Sequence, residues 1–326
     1  MEKGITMTTK KMILDLDTGV DDTLAIALAL GSPEVELIGI TGTYGNVLLE
    51  QGVRNALALT EMFGHPEVKV YAGLPHALKR DGFEVEEISA FTHGKNGIGE
   101  IEVPEPTRQV EEQNAVDFII EAAEKYGKDL ILVPTGPQTN IAAAIEKKPE
   151  IVDMIGAEVL MGGALTQPGN VSPCSEANIH QDPAAADYVF RSGMPATMVG
   201  LDVTLQTLLT YKDTQKWRDT GTFAGQKLAD ITDYYIKAYE TTAPHLGGCG
   251  LHDPLAVGVA IDPTLVDLLD INMMVDVDGP TYGRTIGDPD RLNDPHKTMK
   301  VAVGVDVQRF LDMFMERITK LVAQAK

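Results

Sequence analysis

The chain has 326 residues, 44% of them hydrophobic and 23% charged, with a formal net charge of -21 at pH 7. The apolar fraction is enough to build a packed core and excludes a disordered chain. The acidic balance excludes nucleic acid as a partner, because gripping phosphates needs clustered Lys and Arg.

The opening MEKGITMTTKK is polar and lacks the apolar stretch of a signal peptide, and no apolar run is long enough for a membrane span. Residues 1–10 read as a disordered extension and 11–326 as one domain. The two cysteines, Cys174 and Cys249, form no CxxC pair. No disulfide framework or zinc site is expected, and a cytoplasmic location is.

From Lys11 onward, short apolar runs alternate with helical patterns. KMILDLD reads as a strand and DDTLAIALALG as a helix closed by Gly31. VELIGITGT is a second strand, followed by the loop YGN. Leu48 to Phe63 reads as a helix and VKVYAG as a third strand. Residues 74–113 are rich in Gly, Pro and charge and read as a surface excursion. Asn114 caps the helix AVDFIIEAAEKY, which Gly127 stops.

DLILVPTG is then a strand, QTNIAAAIEK a helix and AEVLMGG another strand leading into a loop. DPAAADYVFRSG reads as a helix, ATMVGLDVT as a strand and 222–242 as a longer helix. The segment 264–305 is β-like. Val307, Phe310, Leu311, Phe314, Ile318 and Leu321 fall at helical spacing in a final helix. This alternation predicts an α/β fold, a single domain with a mostly parallel central sheet flanked by helices. In such sheets ligands bind outside the carboxyl ends of the strands. Asp15, Asp17, Asn46, Thr135 and Met161 all fall at such ends.

The stretch ILDLDTGVDD places Asp15, Asp17, Asp21 and Asp22 within eight residues, beside a strand that reads as buried. One reading is helix capping by Asp21 and Asp22. The other is a divalent cation, and all-oxygen ligands favour Ca²⁺ or Mg²⁺ over zinc. A phosphatase of the haloacid dehalogenase type would need Asp-x-Asp-x-Thr, but Gly19 stands where its Thr should be. No GxxxxGK[ST] or GxGxxG loop is present. A second cluster, GNVSPCSEANIHQDP, holds Asn170, Glu176, Asn178 and His180, and its Asn and Glu side chains are suited to sugar hydroxyls. A third, GLHDP, sets His252 and Asp253 before an apolar helix, as a cap or as a general acid beside a metal ligand.

Together these clusters resemble the nucleoside N-ribohydrolases of the inosine-uridine-preferring type. The resemblance rests on D-x-D-x-G-x-D-D at 15–22, Y-G-N at 44–46, V-P-T-G-x-x-T-N at 133–140, V-L-M-G-G at 159–163, S-E-A-N at 175–178 and H-D-P at 252–254. It implies a Rossmann-like nucleoside hydrolase fold and a Ca²⁺-dependent hydrolysis of ribonucleosides to base and ribose, in nucleoside salvage. It implies that Asp17, Asp22, the Thr135 carbonyl and Asp253 hold the Ca²⁺. Asp17 would also be the general base toward a water on the ion, and His252 the acid toward the leaving base.

The same resemblance makes Asp21, Asn46 and Asn178 ribose contacts, Asn170 and Glu176 contacts of the 5′-hydroxyl, and Met161 a wall of the ribose site. Asp15 would be a supporting residue. His93, Tyr235 and Tyr239 would flank the base. A homodimer or homotetramer is expected, with a small-molecule nucleoside as the substrate. His65, His76 and His296 read as surface residues, the two cysteines as small buried residues and Trp217 as an anchor to the core. A non-catalytic ribose- or nucleoside-binding protein is the alternative. The sequence leaves open the base preference, dimer against tetramer, the metal affinity and the role of His180.

Overall fold

The computed structural model describes residues 9–325. Residues 1–8 of the expected extension lie outside the described residues, and the first strand already begins at Lys10. The strands are β1 Lys10–Leu16, β2 Val35–Gly42, β3 Val70–Ala72, β4 Leu130–Pro134, β5 Ala157–Met161, β6 Ala196–Val199, β7 Leu208–Leu209, β8 Cys249–Gly250, β9 Val266–Asp270, β10 Met273–Val275, β11 Thr285–Gly287 and β12 Met299–Val305. Eight of them form one sheet in the order β3-β2-β1-β4-β5-β6-β12-β9. Every pairing in it is parallel except β9 against β12. The fold is thus a single α/β domain around a mostly parallel sheet, as the alternating pattern predicts.

The centre of the sheet explains the sequence of β1. Met12, Ile13, Leu14 and Leu16 are wholly buried because helices cover both faces. The chain runs outward from β1 through β2 to β3, then returns to the other side of β1 with β4. The carboxyl ends of β1 and β4 therefore flank the point where the strand order reverses, the place where such sheets open a ligand crevice. Two helices, Val20–Leu30 and His252–Ile261, pack against each other beside it. Both are almost entirely buried, which is why their sequences are apolar on nearly every side. Their first turns carry Asp21 and Asp22, and His252 and Asp253.

Two expectations need correction. The strand expected over 196–204 ends at Val199, and Leu201–Thr204 forms a short helix. Tertiary bonds override the β-propensity of Val203 and Thr204. The Leu201 N–H donates to the Gly163 carbonyl at 2.9 Å, and the Asp202 carboxylate accepts the N–H groups of Leu165 and Thr166 at 2.7 Å each. The surface excursion over 74–113 contains a helix, Glu87–His93. The segment 264–305 is β-like as expected and holds four strands: β9 and β12 join the main sheet, while β10 and β11 form a separate antiparallel pair. Tyr282 and Gly283 belong to the turn between that pair, where the Asp276 carboxylate accepts the N–H groups of Gly279 and Thr281.

The terminal helix, Val307–Gln324, buries Phe310, Phe314, Ile318 and Leu321. Trp217 sits in a helix, Tyr211–Arg218, with its ring fully buried 6.1 Å from that of Phe314. Cys249 is buried but Cys174 is only half-buried, which corrects the expectation for Cys174. No helix among the described residues is long and apolar enough to cross a membrane.

Candidate active site

The turn after β1 is built around carboxylates. One oxygen of Asp15 accepts the Thr41 hydroxyl and the Asn140 amide, the latter at 2.8 Å, while its other oxygen is buried without a partner. Burial pushes Asp15 up to about 6. It lies beneath the site and ties β1 to β2 and to the segment after β4. Asp17 is held by a single residue: it accepts the Asn46 backbone N–H at 2.7 Å and the Asn46 side-chain amide at 3.0 Å. Asp22 accepts the Gly19 N–H at 2.6 Å and the Thr135 hydroxyl at 2.7 Å. It therefore caps its own helix and also faces the end of β4.

Two glycines make this packing possible. A Cβ on Gly45 would stand 2.0 Å from an Asp17 oxygen, and one on Gly19 would stand 2.6 Å from His93 Nδ1 and 2.7 Å from the Asn46 amide nitrogen. Sequence reasoning gave these positions no role. The Gly of Y-G-N was the available signal for Gly45, overshadowed by the Asn beside it.

Oxygens of Asp21, Asp22 and Asp253 lie within 4.8 Å of one another, and all three residues are buried. Asp17 stands next to this trio rather than in it. Burial, then the charges of its neighbours, push Asp17 and Asp253 well above the usual carboxylate range. Among the described residues no Lys or Arg pairs with any of them. The nearest ring nitrogen is His93 Nδ1, 3.7 Å from Asp21. His93 cannot neutralise the cluster, because burial and the nearby His252 depress it to about 3. Its Nδ1 instead accepts the Val20 N–H at 3.2 Å, so the neutral ring carries its proton on Nε2. One oxygen of Asp21 is left buried and without a partner. Several carboxylates held out of water with no protein counter-charge and an orphaned oxygen fit a hard divalent cation.

A cavity of about 370 Å³ opens above the cluster. Its floor includes Asp21, Asp253, Thr135 and Asn46; Asp17 and Asp22 lie just below, wholly buried. One wall comes from the ends of β4 and β5 and the loop after them. The Asn178 amide donates to the carbonyls of Thr135 at 2.8 Å and Met161 at 3.1 Å, which leaves its oxygen for a ligand. Glu176 caps the short helix Ala177–Gln181: one oxygen accepts the Asn178 N–H at 2.9 Å, the other the N–H groups of Gly163 and Ile179. Asn170 accepts the Ala177 N–H at 2.9 Å and leaves its amide nitrogen free to donate. His180 does not line the cavity; its Nδ1 meets the Ser175 hydroxyl at 2.8 Å.

The opposite wall is aromatic. The helix Phe223–Thr242 presents Tyr235 and Tyr239, one turn apart with ring centres 5.0 Å from each other. Tyr235 donates its hydroxyl to Asp21 at 3.3 Å. The Tyr239 hydroxyl lies 2.6 Å from His252 Nε2, and His252 Nδ1 lies 2.7 Å from the Thr204 hydroxyl. Burial raises both tyrosines and lowers His252 to about 4, so the phenols keep their protons and the imidazole is neutral at pH 7. Ile88 and Leu205 add apolar surface, and Thr92, Thr242 and His245 add polar groups that sequence reasoning missed. These come from segments with no motif. The result is a cleft with an oxygen-rich floor, a polar wall of amides and carboxylates, and an aromatic wall bearing hydrogen-bond donors.

The chain matches the model of the inosine-uridine preferring nucleoside hydrolase family over residues 12–312. It is 36% identical over 315 residues to the inosine-uridine preferring nucleoside hydrolase of Crithidia fasciculata, covering 96% of this chain and 98% of that one. It is 37% identical over 316 residues to the probable uridine nucleosidase 2 of Arabidopsis thaliana, covering 95% and 97%. Among solved structures, the purine-preferring ribonucleoside hydrolase from Gardnerella vaginalis superposes with a TM-score of 0.96 at 72% identity, over 96% of this chain and 99% of that one. With the cleft described above, these likenesses establish that the chain is a ribonucleoside hydrolase and belongs to the inosine-uridine preferring nucleoside hydrolase family.

Proposed function

We propose that this enzyme hydrolyses purine ribonucleosides in preference to pyrimidine ones, using a Ca²⁺ held by Asp17, Asp22, Asp253 and the Thr135 carbonyl. The observation that carries the reading is the buried acidic cluster without a counter-charge, set beneath a cavity whose far wall is aromatic. Purine preference is supported by the 72% identity to a purine-preferring hydrolase. Calcium is supported by the all-oxygen donor set. A bound Ca²⁺ would supply positive charge against the carboxylates and a fixed place for the ribose 2′- and 3′-hydroxyls and the attacking water.

The chain's own residues then divide the work. Asp17, aligned by both donors of Asn46, takes a proton from the attacking water as general base. Asp21, Asn46 and Asn178 hold the ribose 2′- and 3′-hydroxyls, and Asn170 and Glu176 hold the 5′ end, fixing the sugar for attack. Met161 closes the ribose site from the end of β5. The bond to the base breaks through a transition state with positive charge on the sugar, which the buried carboxylates favour electrostatically. His252, with Tyr239 beside it, assists the departing base by hydrogen bonding; His93 and Tyr235 flank the same end.

Water arrives on the face opposite the base, so the first ribose released is the α-anomer. Free base and ribose are the products a salvage role requires. The two thiols left unpaired suit a cytoplasmic protein, and assembly as a homodimer or homotetramer follows the family resemblance. The test is a panel of inosine, adenosine, guanosine, uridine and cytidine, assayed for free base and reducing sugar. Higher kcat/KM for the purine nucleosides supports the reading. Equal or higher values for uridine and cytidine contradict the preference, and bound nucleoside without turnover contradicts catalysis.

A further inference from the structure

The tautomer of His252 is set from behind by a residue that no motif marks. Thr204 ends the short helix Leu201–Thr204, is wholly buried and places its hydroxyl 2.7 Å from His252 Nδ1. A buried threonine in a helix ordinarily returns its hydroxyl proton to a carbonyl one turn back. Thr23, Thr60 and Thr232 do so here, donating to Gly19, Ala56 and Leu228. Thr204 does not: among the described residues the His252 ring is the one partner of its hydroxyl.

Two proton arrangements are conceivable, and hydrogen-bond accounting separates them. If Nδ1 carried the ring proton and donated it to Thr204, the hydroxyl hydrogen would be buried with no acceptor, which is costly. If the hydroxyl donates to Nδ1, both Thr204 and the ring are satisfied, and the Tyr239 hydroxyl hydrogen is left to the cavity it lines. Nε2 then keeps the ring proton and gives it to the Tyr239 oxygen at 2.6 Å, on the cavity side. Gly250 leaves room for the ring in this place, since a Cβ there would fall 2.8 Å from Nε2. Thr204 is itself anchored through Leu201 and Asp202 to the loop after β5.

We propose that Thr204 is a positioning residue that holds His252 as the Nε2–H tautomer, so that the ring proton faces the leaving base rather than the core. The inference rests on the reading of His252 as the group that assists base departure.

The test compares two substrates on three proteins with Ca²⁺ present: wild type, Thr204→Val and Thr204→Ser. Inosine needs help for its base to leave, whereas p-nitrophenyl β-D-ribofuranoside releases a stable anion without it. Thr204→Val keeps the side-chain shape and removes the hydroxyl. Its kcat on inosine is expected to fall about ten- to a hundredfold, the cost of losing the partner that orients a functional histidine. Its kcat on the nitrophenyl riboside is expected to stay within about twofold, which also reports an intact fold and ribose site. Thr204→Ser restores the donor and should restore inosine turnover. Equal losses on both substrates would make Thr204 merely structural, and undiminished inosine turnover in Thr204→Val would remove its role. If wild type cleaves neither substrate, it is the hydrolase reading that fails, and the Thr204 proposal falls with it.

Discussion

The two ends of the cleft are built in opposite ways. Four carboxylates at the floor, Asp15, Asp17, Asp21 and Asp22, come from one short stretch at the end of β1, with Asp253 joining them from a distant helix; Asp15, Asp17 and Asp22 are locked by bonds to backbone or to Asn46, Thr41, Thr135 and Asn140. The aromatic wall is assembled from distant segments. Tyr235 and Tyr239 come from one helix, His252 from another, Thr204 from a third and His93 from the end of a helix in the surface excursion. The floor sits on the most buried part of the sheet. The wall is joined by side-chain hydroxyls and ring nitrogens. The carboxylates are therefore gathered on the most buried part of the sheet, and the aromatic wall where distant helices meet.

That contrast predicts a ranking of damage. Replacing Asp17 by Ala, or Asp22 or Asp253 by Asn, should cost about a thousandfold or more in kcat, because each removes charge from the cluster that must hold the cation. The check pairs turnover with melting curves. Wild type should gain stability when Ca²⁺ is added and the variants should lose that gain. A variant with both near-normal turnover and a normal gain would break the account of the floor.

At the wall the effects should be smaller and should depend on the leaving group. His252→Ala is expected to lose about a hundred- to ten-thousandfold on inosine and little on the nitrophenyl riboside. Tyr239→Phe removes the partner at His252 Nε2 and should show the same split at about tenfold. Steady-state rates on both substrates sharpen the comparison directly. A floor variant should slow the two substrates alike, and a wall variant should not.

The smallest expected effect lies behind the floor, at Glu158 on β5. It is fully buried, and burial raises it to about 8; the neighbouring Gln138 amide opposes the shift and the charge of Asp15 adds to it. The folded value exceeds the unfolded one, so the folded protein binds the extra proton. That contribution is full below about pH 4.5 and is lost as the pH rises through about 8. Wild type should therefore lose melting temperature between about pH 4.5 and about pH 8, and Glu158→Gln should lose less. Parallel curves for the two proteins would show that Glu158 does not stay protonated.

The same contrast explains which parts are legible in the sequence. Most of the acidic cluster is legible because four of its carboxylates fall in one short stretch, and four carboxylates in and after a buried strand pose the counter-charge question by themselves. The sheet is legible for a similar reason, since continuous apolar runs and capped helices are local signals. The Thr204–His252–Tyr239 chain is not, because its members are 48 and 13 residues apart and each bond depends on packing. Thr204 is further disguised by β-branched neighbours that read as strand. The helix Glu87–His93 is hidden in a stretch whose Gly, Pro and charge read as loop. Gly19 and Gly45 act through the absence of a side chain, so only the distances around them reveal their part.

The most direct test of the central claim is to strip the protein with a chelator and titrate it with Ca²⁺ while following inosine turnover and bound metal together. The account predicts that the stripped protein is inactive and that activity returns in proportion to bound Ca²⁺, saturating when each acidic cluster is filled. Full inosine turnover by the stripped protein, or Ca²⁺ binding that leaves the rate unchanged, would contradict it.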